Sequence, residues 1–209
     1  LSNANSFLSS GLVAADQFTD TPTNNWCTFS SIATRASTLA NGNLEMTPSP
    51  GGSAATTMSM SSGKWYWEVT MDGGTNNERA FYISQSNSKF MLANIHGDGA
   101  AATGTFVGYW AYNGNIIDFT SSYPGRSYGT TFTSGDVISC ALDLDNMAVW
   151  FAKNGTWQDS ATEAEIEAGT TTNAAAVSLP AGSWFHVYAG NSGFGGNGNF
   201  GQASYSYSV

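Results

Sequence analysis

Charge is what this chain has least of. Only 10% of its 209 residues are charged, and six cations face 15 carboxylates for a net charge of −9. So few cations cannot neutralise many phosphates, which disfavours nucleic acid on electrostatic grounds, and none is expected as a partner. The same shortage argues against an anionic membrane surface. No run of 18 apolar residues occurs, so no membrane-spanning segment is expected. Two cysteines, Cys27 and Cys140, make no disulfide framework, although a single bridge between them is open. Cys140 lies on the apolar side of its segment and reads as a small buried hydrophobe. His96 and His186 have no metal-ligand neighbour at usable spacing, and no metal or cofactor is expected. Periodic runs of helix formers are scarce. The chain starts at Leu1 with no signal-peptide pattern, and a processed piece of a longer product is expected.

What is present is turn formers and rings. There are 24 glycines, 13% aromatics, and abundant Ser, Thr and Asn, a composition that suits a β-rich extracellular or virion protein. Residues 1–22 are rich in Ser, Asn and Ala and read as an arm or linker with at most one short strand, Ser6 to Val13. Residues 23–209 read as one domain of ordinary sandwich size. Within it strands are expected at Trp26–Phe29, Ala54–Met60, Arg79–Ser84, Phe90–Ile95, Phe106–Tyr112 and Trp184–Ala189. A hairpin is expected over Leu39–Met46 around Asn41-Gly42. The glycine run Gly190–Gly201 reads as loop or close backbone approach. It is no phosphate cradle, because no Gly-Lys-Ser/Thr enters a helix.

Two segments carry the sharpest pattern. In Lys64–Met71, Trp65, Trp67, Val69 and Met71 share one face, while Tyr66, Glu68 and Thr70 share the other, as in a central strand with an aromatic core face. In Gly135–Trp157, Ile138, Cys140, Leu142 and Leu144 alternate with polar or small residues. A turn follows at Asp145-Asn146, then a second strand with Val149 and Phe151, then an Asn154-Gly155 turn. Trp65, Trp67, Leu142 and Phe151 are therefore expected to close one core.

These same residues resemble a known family. Gly63-Lys64-Trp65-Tyr66-Trp67-Glu68-Val69 is similar to the G-x-x-Y-W-E-V strand of SPRY (B30.2-like) domains. Gly135-Asp136-Val137-Ile138, Leu142-Asp143-Leu144-Asp145 and Phe151-x-Lys153-Asn154-Gly155 resemble that family's second signature. The resemblance covers about residues 60–201. It implies an all-β, concanavalin-like antiparallel β-sandwich, here with an extended N-terminal arm, and a non-enzymatic binding or structural module. The phrases Asp20–Asn25, Leu39–Leu44, Ser61–Glu68 and Asn199–Gln202 resemble SPRY-type domains in structural proteins of tailed bacteriophages, notably marine ones. That implies a virion location, with other virion proteins or host-surface glycan or protein as partners, and a homo-oligomer within a larger assembly. The arm would be the anchor. SPRY binding residues lie on loops that differ between members, so none is carried over.

Other constellations weigh less. Glu163, Glu165 and Glu167 alternate like glycosidase carboxylates, but Ala161–Ala168 lacks β-forming support and favours a short helical turn or solvated loop. Asp143 and Asp145, with Asp136 and Asn146, offer oxygen ligands for calcium; the plainer reading is that they cap turn amides. No Gly-x-Ser-x-Gly elbow accompanies the many serines. The residue types best suited to hold a sugar or peptide are Tyr112, Asn113, Tyr123, Arg126 and Tyr128, flat rings beside polar groups. The reading is a non-enzymatic virion structural or adhesion protein of a tailed phage, a tail fibre, knob or capsid-surface component. The alternative is a secreted bacterial carbohydrate-binding module.

Overall fold

The structure, a computed structural model, describes residues 26–49, 52–73, 79–85, 105–118, 125–190 and 194–207. The arm, the expected Phe90–Ile95 strand, His96 and Tyr123 lie outside the described residues.

Two antiparallel sheets carry the domain. The first runs β1 (Phe29–Arg35), β4 (Gly52–Thr56), β14 (Trp184–Gly190), β6 (Arg79–Gln85), β7 (Phe106–Trp110), β8 (Asn115–Asp118) and β9 (Arg126–Ser127). The second runs β12 (Thr156–Trp157), β11 (Ala148–Lys153), β10 (Val137–Asp143), β5 (Lys64–Asp72), β15 (Phe194–Asn199), β3 (Glu45–Ser49) and β2 (Leu39–Ala40). A short β13 (Ala176–Val177) pairs with β11. A single short helix among the described residues, α1 (Glu163–Ala168), lies in the connection after β12. This is the all-β sandwich that the alternation in the sequence predicts.

The inner faces meet over Trp67, Val69, Phe81, Tyr109, Phe151 and Trp184, all buried. Register brings Cys140 between Trp67 on β5 and Phe151 on β11, and Phe151 stacks on Tyr109 at 5.7 Å between ring centroids. Cys140 is a fully buried free thiol, as its alternation suggests, and Cys27 is free as well. Burial pushes the Cys140 thiol up from its ordinary value.

The turn motifs have local causes. Asn154 and Gly155 both adopt positive φ, the geometry of a two-residue hairpin loop. Asn154 also accepts from the Val137 amide at 2.8 Å and donates to Asp136 at 2.8 Å, tying the hairpin tip to the start of β10. At the other end of β10, Asp143 accepts from the amides of Asp145 and Asn146 at 3.0 and 2.9 Å. Asp145 in turn accepts from the Gly63 amide at 2.9 Å. These aspartates cap turns.

Five expectations need correction, the first being the strand expected at Ala54–Met60, which is β4 and ends at Thr56. Trp65 is 47% exposed, although Trp67, Leu142 and Phe151 are in the core. It sits next to the start of β5, and its indole N–H donates to the Ser62 carbonyl at 2.7 Å instead of entering the interior. The glycine run read as loop supplies β15, an internal strand between β5 and β3. Its glycines serve close approach: a Cβ on Gly198 would stand 2.4 Å from the Phe200 ring. The strand expected at Trp26–Phe29 starts only at Phe29 and runs to Arg35. The strand expected at Phe106–Tyr112 ends at Trp110, and Ala111 opens a turn.

Candidate contact surfaces

The five residues singled out as a ligand face do different jobs. Tyr112 is 52% exposed and free for contact. Asn113 uses its side-chain oxygen to accept from the Asn115 amide at 3.0 Å, closing the turn into β8. Arg126 donates to the carbonyls of Ala174, at 3.2 Å, and Ala175. It thereby clamps the edge strand β9 to the segment leading into β13, with its guanidinium 5.7 Å from the Tyr128 ring centroid. Tyr128 is a core residue, correcting its place on the ligand face. It is 5% exposed, and its hydroxyl accepts from the Phe151 amide at 3.0 Å. Burial raises its pKa well above the ordinary tyrosine range.

The outer face of the second sheet is more telling. Ala141, Ala148 and Ala152 form a small-residue floor around Trp150, covered by Trp157 of β12 and by Ala161, Ile166 and Ala174 from the connection that contains α1. Helix α1 exists because Thr162 and Glu165 form a reciprocal capping box and Gly169 ends it at φ 71°. The three alternating glutamates thus lie on a short helix and not on a strand: Glu165 caps it, its carboxyl held below the ordinary range by the Thr162 amide despite opposing desolvation, and Glu163 and Glu167 are exposed.

A second cover comes from the C-terminal segment. Glu68 is 2% exposed on this outer face. It accepts from Tyr66 Oη at 2.8 Å and from the amides of Ser206 and Tyr207 at 2.7 Å each. Tyr205 packs edge-on to Tyr66 at 4.7 Å. Nothing in the local pattern around Glu68 could have announced this, because its partners lie about 138 residues away.

Beside the helical cover lies an open groove of about 170 Å³, lined among others by Lys64, Trp65, Tyr66, Ala141, Ile166 and Glu167. Lys64 spans its end, donating to the Glu167 carbonyl at 2.6 Å and pairing with Asp143 at 3.4 Å. Burial opposes ionisation of Asp143, but the Asn146 hydrogen bonds and the Lys64 ammonium outweigh it and hold the carboxyl below its usual range. The groove is therefore largely apolar, with Lys64 paired to Asp143 at its end and the carboxylate of exposed Glu167 at its rim.

A protrusion stands on the other sheet. Between Phe29 and Thr34, β1 takes five residue steps where β4 takes two, from Thr56 to Ala54. The surplus bulges out of the edge, and Ile32 on it is 94% exposed.

With this geometry in place, comparison with known proteins is direct. The family model of the SPRY domain matches residues 64–191. The chain belongs to the SPRY domain family. SPRY domains are in general non-catalytic modules of protein–protein interaction. The crystal structure of the SPRY domain of human HERC1 superimposes with a TM-score of 0.62 at 18% identity, covering 84% of this chain and 99% of that one. That likeness supports the fold. Among curated proteins, the Ran-binding proteins 9/10 homolog of Drosophila melanogaster is 46% identical over 48 residues, 23% of this chain and 5% of that protein. Dual specificity protein kinase splA of Dictyostelium discoideum is 26% identical over 106 residues, 51% of this chain and 4% of that protein. The chain thus spans about a twentieth of the length of these relatives.

Proposed function

We propose that this SPRY domain is a non-enzymatic contact module of a tailed-phage virion, joined to neighbouring virion proteins or to a host-surface molecule through exposed side chains on a rigid sandwich. The observation that carries it is Trp65, at a variable position within the family-motif strand, which stays 47% exposed while its N–H is fixed on Ser62. A large ring held rigid costs little entropy to bury, which is why tryptophan is frequent at binding hot spots. The Ran-binding relatives carry a binding partner in their names, which favours a protein partner for this chain too. The virion location rests on the resemblance of Ser61–Glu68 and Asn199–Gln202 to phage SPRY phrases.

The test is immunogold labelling of phage particles with antibody against the purified domain, together with capture of particle proteins by wild type and Trp65→Ala. Labelled particles, and capture lost in the variant, are expected. Binding to a glycan array with no particle label would instead favour the secreted carbohydrate-binding module, where Trp65 and Tyr112 would stack on sugar faces.

A further inference from the structure

We infer that the outer face of β5 around Glu68 is an acceptor site for an extended segment, filled here by residues 204–207 of the same chain and open to those residues of a second copy. Copies are then linked by exchanging this segment, a property that goes beyond the contact reading above and does not depend on it. The site is built around a carboxylate. Glu68 is 2% exposed, and the three cations with described side chains are engaged elsewhere: Lys64 and Lys153 pair with Asp143 and Asp136, and Arg126 donates to the Ala174 carbonyl. The charge of Glu68 is therefore met by donors alone, Tyr66 Oη at 2.8 Å and the Ser206 and Tyr207 amides at 2.7 Å each. Emptied, the site would give up two charge-assisted bonds, so it favours refilling by a segment with the same pair of adjacent amides. The other contacts define what fits. The Tyr205 ring stands edge-on to Tyr66 at 4.7 Å, and its hydroxyl donates to the Tyr66 carbonyl at 3.0 Å. Gly155 makes room for the Tyr207 ring, since a Cβ there would stand 2.4 Å from it.

A second copy is the occupant whose fit is already on display, because the segment seated on Glu68 is this chain's own. Two features let it cross over. First, side chains hold the segment and no strand ladder does: residues 200–207 belong to no strand, and Ala203–Ser206 are exposed. Its release leaves both sheets paired. Second, only a turn keeps it at home. Asn199 lies opposite Glu68 in the ladder, the chain passes Gly201 at φ 104°, and Ser206 then returns to the same glutamate. The turn is closed by its own side chains, Asn199 accepting from the Gly201 amide at 3.2 Å and Gln202 from the Phe200 amide at 2.8 Å. Opening it gives up local bonds alone. Once extended, residues 200–207 reach roughly 25 Å from the end of β15, enough to enter a neighbouring copy. Exchange of identical elements remakes every contact at Glu68 and adds no new one. Two copies at −9 repel, but Gln202–Tyr207 has no charged residue, so the crossing segment adds nothing to that repulsion. What favours the monomer is the tether, whose effective concentration is about millimolar for a short flexible connection.

The test uses the full chain in analytical ultracentrifugation, in about 0.5 M salt to screen the repulsion between copies. Two variants separate donor from acceptor. Glu68→Ala removes the acceptor carboxylate and leaves the segment free. Ser206→Pro removes one donated amide and leaves the acceptor whole, because proline has no N–H. Tyr205→Ala, which takes away the ring contact with Tyr66, replaces the proline variant should that one lose the wild-type circular dichroism. Each variant alone is expected to be monomeric at concentrations where wild type is monomeric. An equimolar mixture is expected to form one-to-one heterodimers, the vacant acceptor of the proline variant taking the free segment of the alanine variant. The mixture should associate about ten- to a hundredfold more tightly than wild type, since the competing segment in the same chain has lost a bond to a carboxylate. A mixture that stays monomeric up to millimolar concentration would overturn the exchange. Either variant dimerising alone as tightly as the mixture would place the contact away from Glu68 and overturn it too. Neither result touches the capture of particle proteins through Trp65, which stands or falls separately.

Discussion

Replacing Glu68 by alanine is expected to free the C-terminal segment without unfolding the sandwich. Glu68 is 2% exposed and holds the Ser206 and Tyr207 amides at 2.7 Å each. A hydrogen bond to a carboxylate contributes about 1.5–3 kcal/mol. The two amides are only partly buried and regain water once released, so the lower figure applies to each. The sum is about 3 kcal/mol, or roughly 150-fold in a local opening equilibrium at 1.4 kcal/mol per decade. Tyr205 keeps its bond to the Tyr66 carbonyl at 3.0 Å and Asn199 its bond to Ser204 at 3.0 Å, so the segment loosens from its far end. Amide hydrogen exchange by NMR checks this. Ser206 and Tyr207 should exchange about two orders of magnitude faster, while Cys140 and Val69 amides keep their wild-type rates. Unchanged rates at Ser206 and Tyr207 would refute the reasoning, and equal acceleration in β5 and β10 would show that Glu68 supports the whole sheet.

Three further outcomes follow from the same geometry. Gly155→Ala should destabilise by about 1–2 kcal/mol for the left-handed backbone alone. It should also loosen the C-terminal segment, because its Cβ would stand 2.4 Å from the Tyr207 ring; chemical denaturation and exchange at Tyr207 measure the two effects. Asp143 and Asp136 both sit below their ordinary value in the folded state, so their contribution is complete above about 3.8 and disappears as pH falls through the folded values. Thermal melts across acidic pH should fall less steeply for Asp143→Asn. Burial, against the opposing Thr130 hydrogen bonds, pushes Tyr109 up to about 12 from 10.0. The stability it confers should hold below 10 and fall away as pH rises through 12, a slope that Tyr109→Phe should reduce.

The alternation over Ile138–Leu144 and Trp67–Met71 is enough to place two strands and their buried faces, because a half-buried strand must repeat every two residues, but it does not say that the two strands pair with each other. What the pattern could not tell is where the opposite sheet stops. Trp65 continues the Trp67 face, yet it lies where the strand begins and turns back to Ser62. The same blindness explains β1, whose alternation is destroyed by the bulge that exposes Ile32. Strand β15 was hidden because glycine carries no period at all. At the candidate site, Tyr128 and Arg126 have the composition of a ligand face but are committed to the core and to the Ala174–Ala175 carbonyls. Glu68 could be seen as a motif residue, but its role depends on a partner at the far end of the chain.

The two family motifs share a structural logic that their inner-face residues do not reveal. Both contribute carboxylates to the outer face of the same sheet, at adjacent strands: Glu68 on β5 and Asp143 on β10. Each fixes one cover. Glu68 holds the C-terminal segment by its backbone amides, and Asp143 holds the helical connection through Lys64, whose ammonium reaches the Glu167 carbonyl at 2.6 Å. Alanines at 141, 148 and 152 let the helical cover lie close, while Tyr66 on β5 separates it from the C-terminal segment. The groove beside Trp150 lies along the helical cover, between Ile166 and Glu167 on that side and Trp65 and Tyr66 of β5 on the other. A Lys64→Met change should keep the stem packing but release the Glu167 carbonyl and leave Asp143 without its cation. Amide exchange across α1 should then accelerate while β10 keeps its wild-type rates, and unchanged exchange in α1 would mean that the capping box alone holds the cover.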